Sequence, residues 1–172
     1  MKNITGKTKI IGVFGYPITH TLSPFMHNAA FRHLNLDFVY LPFEVKPDNL
    51  KNAVKSILAL NICGVNLTIP HKEAIIPYLD EIAKEAEFIG AVNTIENRNG
   101  KLIGYNTDAL GFIRSLKEAK VSLKDKIVLL LGAGGAGKAI GFALALNGAK
   151  GIYIANRTFE KAERLTNDIR KK

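Results

Sequence analysis

Lys126-Ile-Val-Leu-Leu-Leu131-Gly132-Ala133-Gly134-Gly135-Ala136-Gly137 decides the architecture of this 172-residue chain. The aliphatic run reads as a buried strand, the glycines follow it without a break, and residues 136–147 read as a helix. In a strand-turn-helix setting each spaced glycine has a mechanical use. Gly132 permits the tight turn, Gly134 lets backbone amides approach a pyrophosphate, and Gly137 lets helix and strand pack closely. Ala133, Gly135 and Ala136 complete the turn, and the helix N-terminus attracts phosphate. The same residues fit the start of a P-loop, with Lys138 after Gly137. A P-loop needs Ser or Thr next to hold magnesium, and Ala139 has no oxygen to offer. The stretch therefore predicts a dinucleotide site.

The end of the following strand, 151–155, distinguishes the two nicotinamide dinucleotides. An NAD site places a carboxylate about 20 positions on to bond the ribose 2′-hydroxyl. Here Asn156-Arg157-Thr158 begins 24 residues after Gly132 and holds no acid. Arg157 can fork onto a 2′-phosphate, Asn156 and Thr158 add neutral donors, and Lys161 lies one turn on, so NADP is expected over NAD.

Toward the N-terminus the α/β alternation continues. Strands are expected over 9–16, 38–45 and 63–67. A helix starts at Ser23-Pro24, with Ser23 as N-cap and Met26, Ala30, Phe31 and Leu34 as its apolar stripe. A second helix opens at Pro47, with Leu50, Ala53, Val54, Ile57 and Leu58 on one face. The loop Thr68–His71, two short helical stretches to Phe88, and a hairpin around Asn99-Gly100 follow. The fold class is thus α/β: an N-terminal α/β substrate domain over 1–105, a linking helix over 106–120, and over 121–172 the first βαβα half of a Rossmann-type domain, which needs about six strands when complete. An incomplete sheet would carry an exposed edge, covered by a further chain segment or by an assembly such as a homodimer.

Composition narrows the function. The chain is 47% hydrophobic, enough for a sizeable core, and no apolar run approaches the roughly 20 residues of a membrane span. The N-terminus has no signal-peptide pattern, which points to the cytoplasm. Net charge is +9, with 10 basic and 4 acidic residues in 121–172. These charges are scattered rather than clustered, which argues against nucleic acid, and anionic small ligands account for the sign. Cys63 lies in an apolar run and reads as a buried thiol. The four histidines show no metal-ligand spacing, so no metal is expected.

Hydride reduction of a ketone needs a positioned acid for the nascent alkoxide. Lys72 is a candidate, since a cation in the first turn after Pro70 gains nothing from the helix dipole. Asp108 opens the linking helix, where a carboxylate is favoured in any case.

Read together, Gly15-Tyr-Pro-Ile-Thr-His-Thr21-Leu-Ser23-Pro-Phe-Met-His-Asn28, Gly64-Val-Asn66-Leu-Thr68-Ile-Pro-His-Lys72, Gly90-Ala-Val-Asn93-Thr94 and Gly104-Tyr-Asn106-Thr107-Asp108, with the glycine-rich turn and Asn156-Arg157-Thr158, resemble the shikimate dehydrogenase family along essentially the whole chain. The resemblance implies NADPH-dependent reduction of 3-dehydroshikimate to shikimate in chorismate biosynthesis. Lys72 and Asp108 would be its catalytic pair, Thr21 and Ser23 would bind the ring carboxylate, and Asn66, Thr68, Asn93 and Asp108 would meet the ring hydroxyls. The chemistry is coherent: neutral donors suit a carboxylate, and groups that both donate and accept suit alcohols. Thr21 stands where the family usually has Ser, His71 where Phe is common, and Ala109 where Gly is common. His71 reads as a solvated or stacking side chain. Roughly a third of the usual two-domain enzyme has no counterpart here, so a noncatalytic shikimate-binding fragment and a quinate-preferring relative are the alternatives.

Overall fold

The structure is a computed structural model that describes residues 3–171; Met1, Lys2 and Lys172, at the ends of the expected domains 1–105 and 121–172, lie outside the described residues. By packing, the chain forms two compact units. The first holds the described residues up to Lys84 together with Val92–Tyr105, and the second holds Glu85–Ala91 together with the described residues from Asn106 on.

The first unit is a six-stranded mixed sheet. Its strands are β1 (Lys9–Gly15), β2 (Phe38–Glu44), β3 (Gly64–Leu67), β4 (Glu81–Ile82), β5 (Thr94–Arg98) and β6 (Lys101–Tyr105), in the order β2-β1-β3-β5-β6-β4. β1 runs parallel to both β2 and β3, while β5 is antiparallel to β3 and to β6. The connections from β1 to β2 and from β2 to β3 are α1 (Ser23–His33) and α2 (Leu50–Ala59). Since β2 and β3 flank β1 on opposite sides, the order reverses at β1, and the crevice beyond the carboxyl ends of β1 and β3 is where such sheets bind ligands.

α2 buries Leu50, Val54 and Ile57 of the stripe its spacing predicts, with Ala53 half-buried, whereas Leu58, expected on the same face, is exposed at the last turn. α1 differs from expectation in two ways. Its N-cap is Leu22 with no side-chain cap bond, so Ser23 is not the N-cap; instead the Ser23 amide donates to Thr21 Oγ1 at 3.3 Å. Its stripe is also rotated, because Met26 and Leu34 are exposed while Phe31 packs beside Val13, Ile18 and Tyr40. Cys63 is half-buried rather than buried. β4, only two residues long and parallel to β6, is too short for period-two alternation to reveal.

The second unit contains α4 (Lys84–Ile89) from Glu85 on, α5 (Asp108–Glu118), β7 (Ile127–Leu131), α6 (Gly135–Leu146), β8 (Gly151–Ala155) and α7 (Phe159–Lys171). β7 and β8 pair in parallel, Ile127 to Gly151 through Leu131 to Ala155. The core gathers Leu130, Ala139, Phe142, Ala162 and Leu165, with Ile89 and Ala91 joining it. Only Leu130 of β7 is buried: Ile127, Leu129 and Leu131 are 62%, 63% and 75% exposed, as is Tyr153 of β8 at 67%. The expectation of a wholly buried strand is thus corrected. An aliphatic strand of this kind is buried on both faces in a parallel sheet, and here α6 and α7 cover one. The sheet of this unit is two strands wide.

Candidate functional site

In the first unit the expected substrate residues gather at one end of the sheet. The loop after β1 carries Thr21 and leads to Ser23 at the start of α1. The loop after β3 carries Thr68 and leads to Lys72 in α3 (His71–Ala74). Asn93 precedes β5, whose antiparallel course brings its start to the same end, and Asn66 lies on β3 opposite Thr94. The loops are joined by backbone bonds: Thr68 N–H to Phe14 C=O at 2.9 Å, Tyr16 N–H to Ile69 C=O at 2.9 Å, Leu67 N–H to Asn93 C=O at 2.8 Å, and Val92 N–H to Lys72 C=O at 2.7 Å. Gly15 is required for this approach, since a Cβ there would overlap Thr68 Cγ2 and come within 2.7 Å of Ile18. The Tyr16–Pro17 and Ile69–Pro70 bonds in these loops are cis.

A directional hydrogen-bond chain runs through the cluster. The Tyr40 hydroxyl donates to Asn66 Oδ1 at 2.7 Å, Asn66 Nδ2 donates to Thr94 Oγ1 at 3.1 Å, and the Thr94 hydroxyl donates to Asn93 Oδ1 at 2.9 Å. Asn66 thereby spends its amide hydrogens inward, the second on Asn93 C=O at 3.4 Å, and keeps acceptor capacity at Oδ1 for a ligand hydroxyl. Burial pushes the Tyr40 phenol up to about 12, opposed by a hydrogen bond with Ser23, so it is a neutral donor through the physiological range. Its ring stacks on His27 at 4.3 Å, and Asn28 bonds both backbone groups of Tyr40 at 2.9 Å. Burial also lowers the His27 pKa, favouring its neutral form. Sequence reasoning missed Tyr40, which passes for a core residue on a strand; the signal was that a buried phenol needs a partner.

His71 is neither solvated nor stacked. It is 1% exposed, and its Nε2 lies 2.7 Å from Val45 C=O, which anchors the turn before Lys72. A polar side chain that reaches a backbone carbonyl is at home in the interior, and that contact was not visible from its neighbours in sequence.

In the second unit Asp108 is the first residue of α5, and its amide donates to Asn106 Oδ1 at 3.0 Å. The glycine-rich turn has the expected mechanics. Gly132 adopts φ +106°, and a Cβ on Gly137 would overlap the Gly132 carbonyl. Gly134 has nothing within 4 Å of where a Cβ would stand, so no contact inside the protein calls for glycine there. The open space at the start of α6 suits a phosphate on backbone amides. Beyond β8, Arg157, Thr158 and Lys161 are exposed. Asn156 Oδ1 accepts from Ala133 N–H at 3.1 Å, and Asn156 Nδ2 donates to Thr158 C=O at 2.7 Å. These residues fit a dinucleotide with an anionic ribose. Among the described residues no group of three or more His, Cys, Asp and Glu is placed to hold a metal, and no helix is long and apolar enough to cross a membrane.

A sheet with its switch point at β1, followed by a strand, glycine-rich turn and helix of Rossmann type, defines a two-unit α/β protein of the dinucleotide-binding fold class. Residues 13–95 match the family model for the shikimate dehydrogenase substrate binding domain, and residues 115–172 match the model for shikimate / quinate 5-dehydrogenase. The chain belongs to the shikimate dehydrogenase family. It is 55% identical over 167 residues to the shikimate dehydrogenase (NADP(+)) of Desulforamulus reducens, covering 96% of this chain and 57% of that protein. A solved shikimate dehydrogenase in complex with NADP+ superposes with TM-score 0.92 at 51% identity, covering 98% of this chain and 58% of that one. The Thermus thermophilus enzyme in complex with NADP(H) and shikimate gives 0.86 at 40%, covering 94% and 60%. The chain thus spans under two thirds of the length of these relatives.

Proposed function

We propose that the chain serves the reversible NADPH-dependent reduction of 3-dehydroshikimate to shikimate, on the route to chorismate and the aromatic amino acids. The observation that carries this reading is the convergence of Thr21, Ser23, Asn66, Thr68, Lys72 and Asn93 on one end of the first unit's sheet. A ring with a carboxylate at one side and hydroxyls at the other calls for such a set. Thr21 and Ser23 take the carboxylate, and Asn66, Thr68, Asn93 and Asp108 take hydroxyls. The cofactor, when bound, supplies the hydride to the carbonyl carbon. Lys72 gives the proton to the carbonyl oxygen and recovers it in the reverse direction, and in the family's scheme Asp108 orients the lysine. Gly132 to Gly137 form the pyrophosphate turn, Arg157, Thr158 and Lys161 form the 2′-phosphate end of the NADP site, and Asn156 belongs to the cofactor site between the two.

Residues 1–105 are the substrate domain in this proposal, 106–120 the linking helix and 121–172 the first half of the nucleotide domain. A cytoplasmic location and a homodimer belong to the same proposal, the latter open to sedimentation velocity.

The test is NADP reduction by shikimate, followed at the nicotinamide absorbance, for this chain and for Lys72→Ala, with quinate as comparison substrate. Turnover with shikimate that is lost in Lys72→Ala supports the proposal. Shikimate binding without turnover in either protein makes this chain a binding-competent fragment, and faster turnover of quinate makes it the quinate-preferring relative.

A further inference from the structure

We propose that Asn156 acts as a positioning residue that braces the two phosphate-binding turns against each other, and that its share of the binding is common to NADP and NAD. This rests on the nucleotide reading above and deepens it. The carboxamide spans the site: Oδ1 accepts the Ala133 amide hydrogen at 3.1 Å, inside the pyrophosphate turn, and Nδ2 donates to the Thr158 carbonyl at 2.7 Å, inside the turn that carries Arg157. Gly132 N–H donates to Ala155 C=O at 2.8 Å, which continues the β7–β8 ladder up to this brace.

The Ala133 amide, on a buried residue, is satisfied inside the protein, which leaves the turn's later amides for phosphate. Asn156 is half-buried and holds backbone on both sides, whereas Arg157 and Thr158 are exposed beside it. Discrimination between a 2′-phosphate and a 2′-hydroxyl therefore falls to the exposed cation and hydroxyl, and Asn156 supports the arrangement that either nucleotide needs. A direct ligand and a brace differ in what their removal does to the ratio of the two affinities.

The experiment measures Kd for NADP and for NAD by titration calorimetry on this chain, Asn156→Ala and Arg157→Ala. The brace predicts that Asn156→Ala weakens both nucleotides by about tenfold, the loss of one to two net hydrogen bonds, with the NADP/NAD ratio held within about twofold. Arg157→Ala is expected to weaken NADP at least about tenfold more than NAD. A loss confined to NADP in Asn156→Ala makes the side chain a 2′-phosphate ligand and overturns the brace, as do affinities equal to the parent's. A parent chain that binds neither nucleotide overturns the nucleotide reading itself, and the brace with it. Residue-resolved hydrogen exchange gives a second readout without nucleotide. The Ala133 amide should be protected in the parent and exchange faster in Asn156→Ala while the amides of β1 keep their protection; unchanged Ala133 protection sinks the proposal.

Discussion

Tyr40→Phe isolates one hydroxyl. The ring keeps its stack on His27 and its place in the core, where Tyr40 is 1% exposed, so no cavity forms. What disappears is the donor 2.7 Å from Asn66 Oδ1 and the partner of Ser23. A net hydrogen bond contributes about 0.5–1.5 kcal/mol, and leaving a partly buried acceptor unpaired adds to the loss, so the first unit should be destabilised by about 1–2 kcal/mol. With a urea m-value of roughly 2 kcal/mol/M, the unfolding midpoint should fall by about 0.5–1 M. The pH dependence gives an independent check. The phenol's folded pKa, raised from 10.0 to about 12, means that the folded state favours the neutral form. That contribution is fully present below pH 10 and is lost as pH rises toward 12. The stability gap between parent and variant should therefore be level up to about pH 10 and narrow above it. Urea unfolding followed by circular dichroism at several pH values measures both. An unchanged midpoint near neutrality, or a gap that widens above pH 10, would refute the role given to this hydroxyl.

Gly137→Ala places a methyl on the Gly132 carbonyl, a backbone atom that cannot step aside, so the second unit should lose about 1–3 kcal/mol and NADP affinity should drop, both measurable by urea unfolding and calorimetric titration. His71→Phe removes the group bonded to Val45 C=O and is expected to cost about 1–3 kcal/mol in thermal unfolding; a variant as stable as the parent would show that the contact contributes nothing. Leu129→Lys alters a 63% exposed position on the open face of β7 and should reduce self-association in light scattering while changing stability by no more than about 0.5 kcal/mol.

How much could be read from the sequence depended on how local the signal was. The glycine turn was legible because every constraint on it, the strand before, the spacing and the helix after, lies within about 20 residues. α2 was legible because Leu50, Val54 and Ile57 of its stripe are the residues it buries, although Leu58 at its end is exposed. The resemblance named Ser23, Asn66 and Asn93, but Tyr40, which links the first two, was invisible because its partners come from β3 and α1, far along the chain. Asn28 was likewise unread: an amide on an otherwise mixed helix face gives no hint of the strand it will meet. β7 misled for a related reason. Its aliphatic run records what such a strand can bury, whereas burial depends on which other elements arrive to cover it.

Asn28 also has a bearing on motion. Its carboxamide takes both backbone groups of Tyr40, so α1 is pinned to β2 in register as well as in contact. Ser23 lies five residues earlier on the same helix, about 7.5 Å along its axis. A rod pinned at that point can neither slide nor roll without breaking two bonds, and Ser23 rides on its end. The hydroxyl assigned to the carboxylate is therefore located by a peg on the far side of the helix's second turn, and loosening that peg with Asn28→Ala would blur the placement of Ser23 while leaving every ligand-facing residue intact.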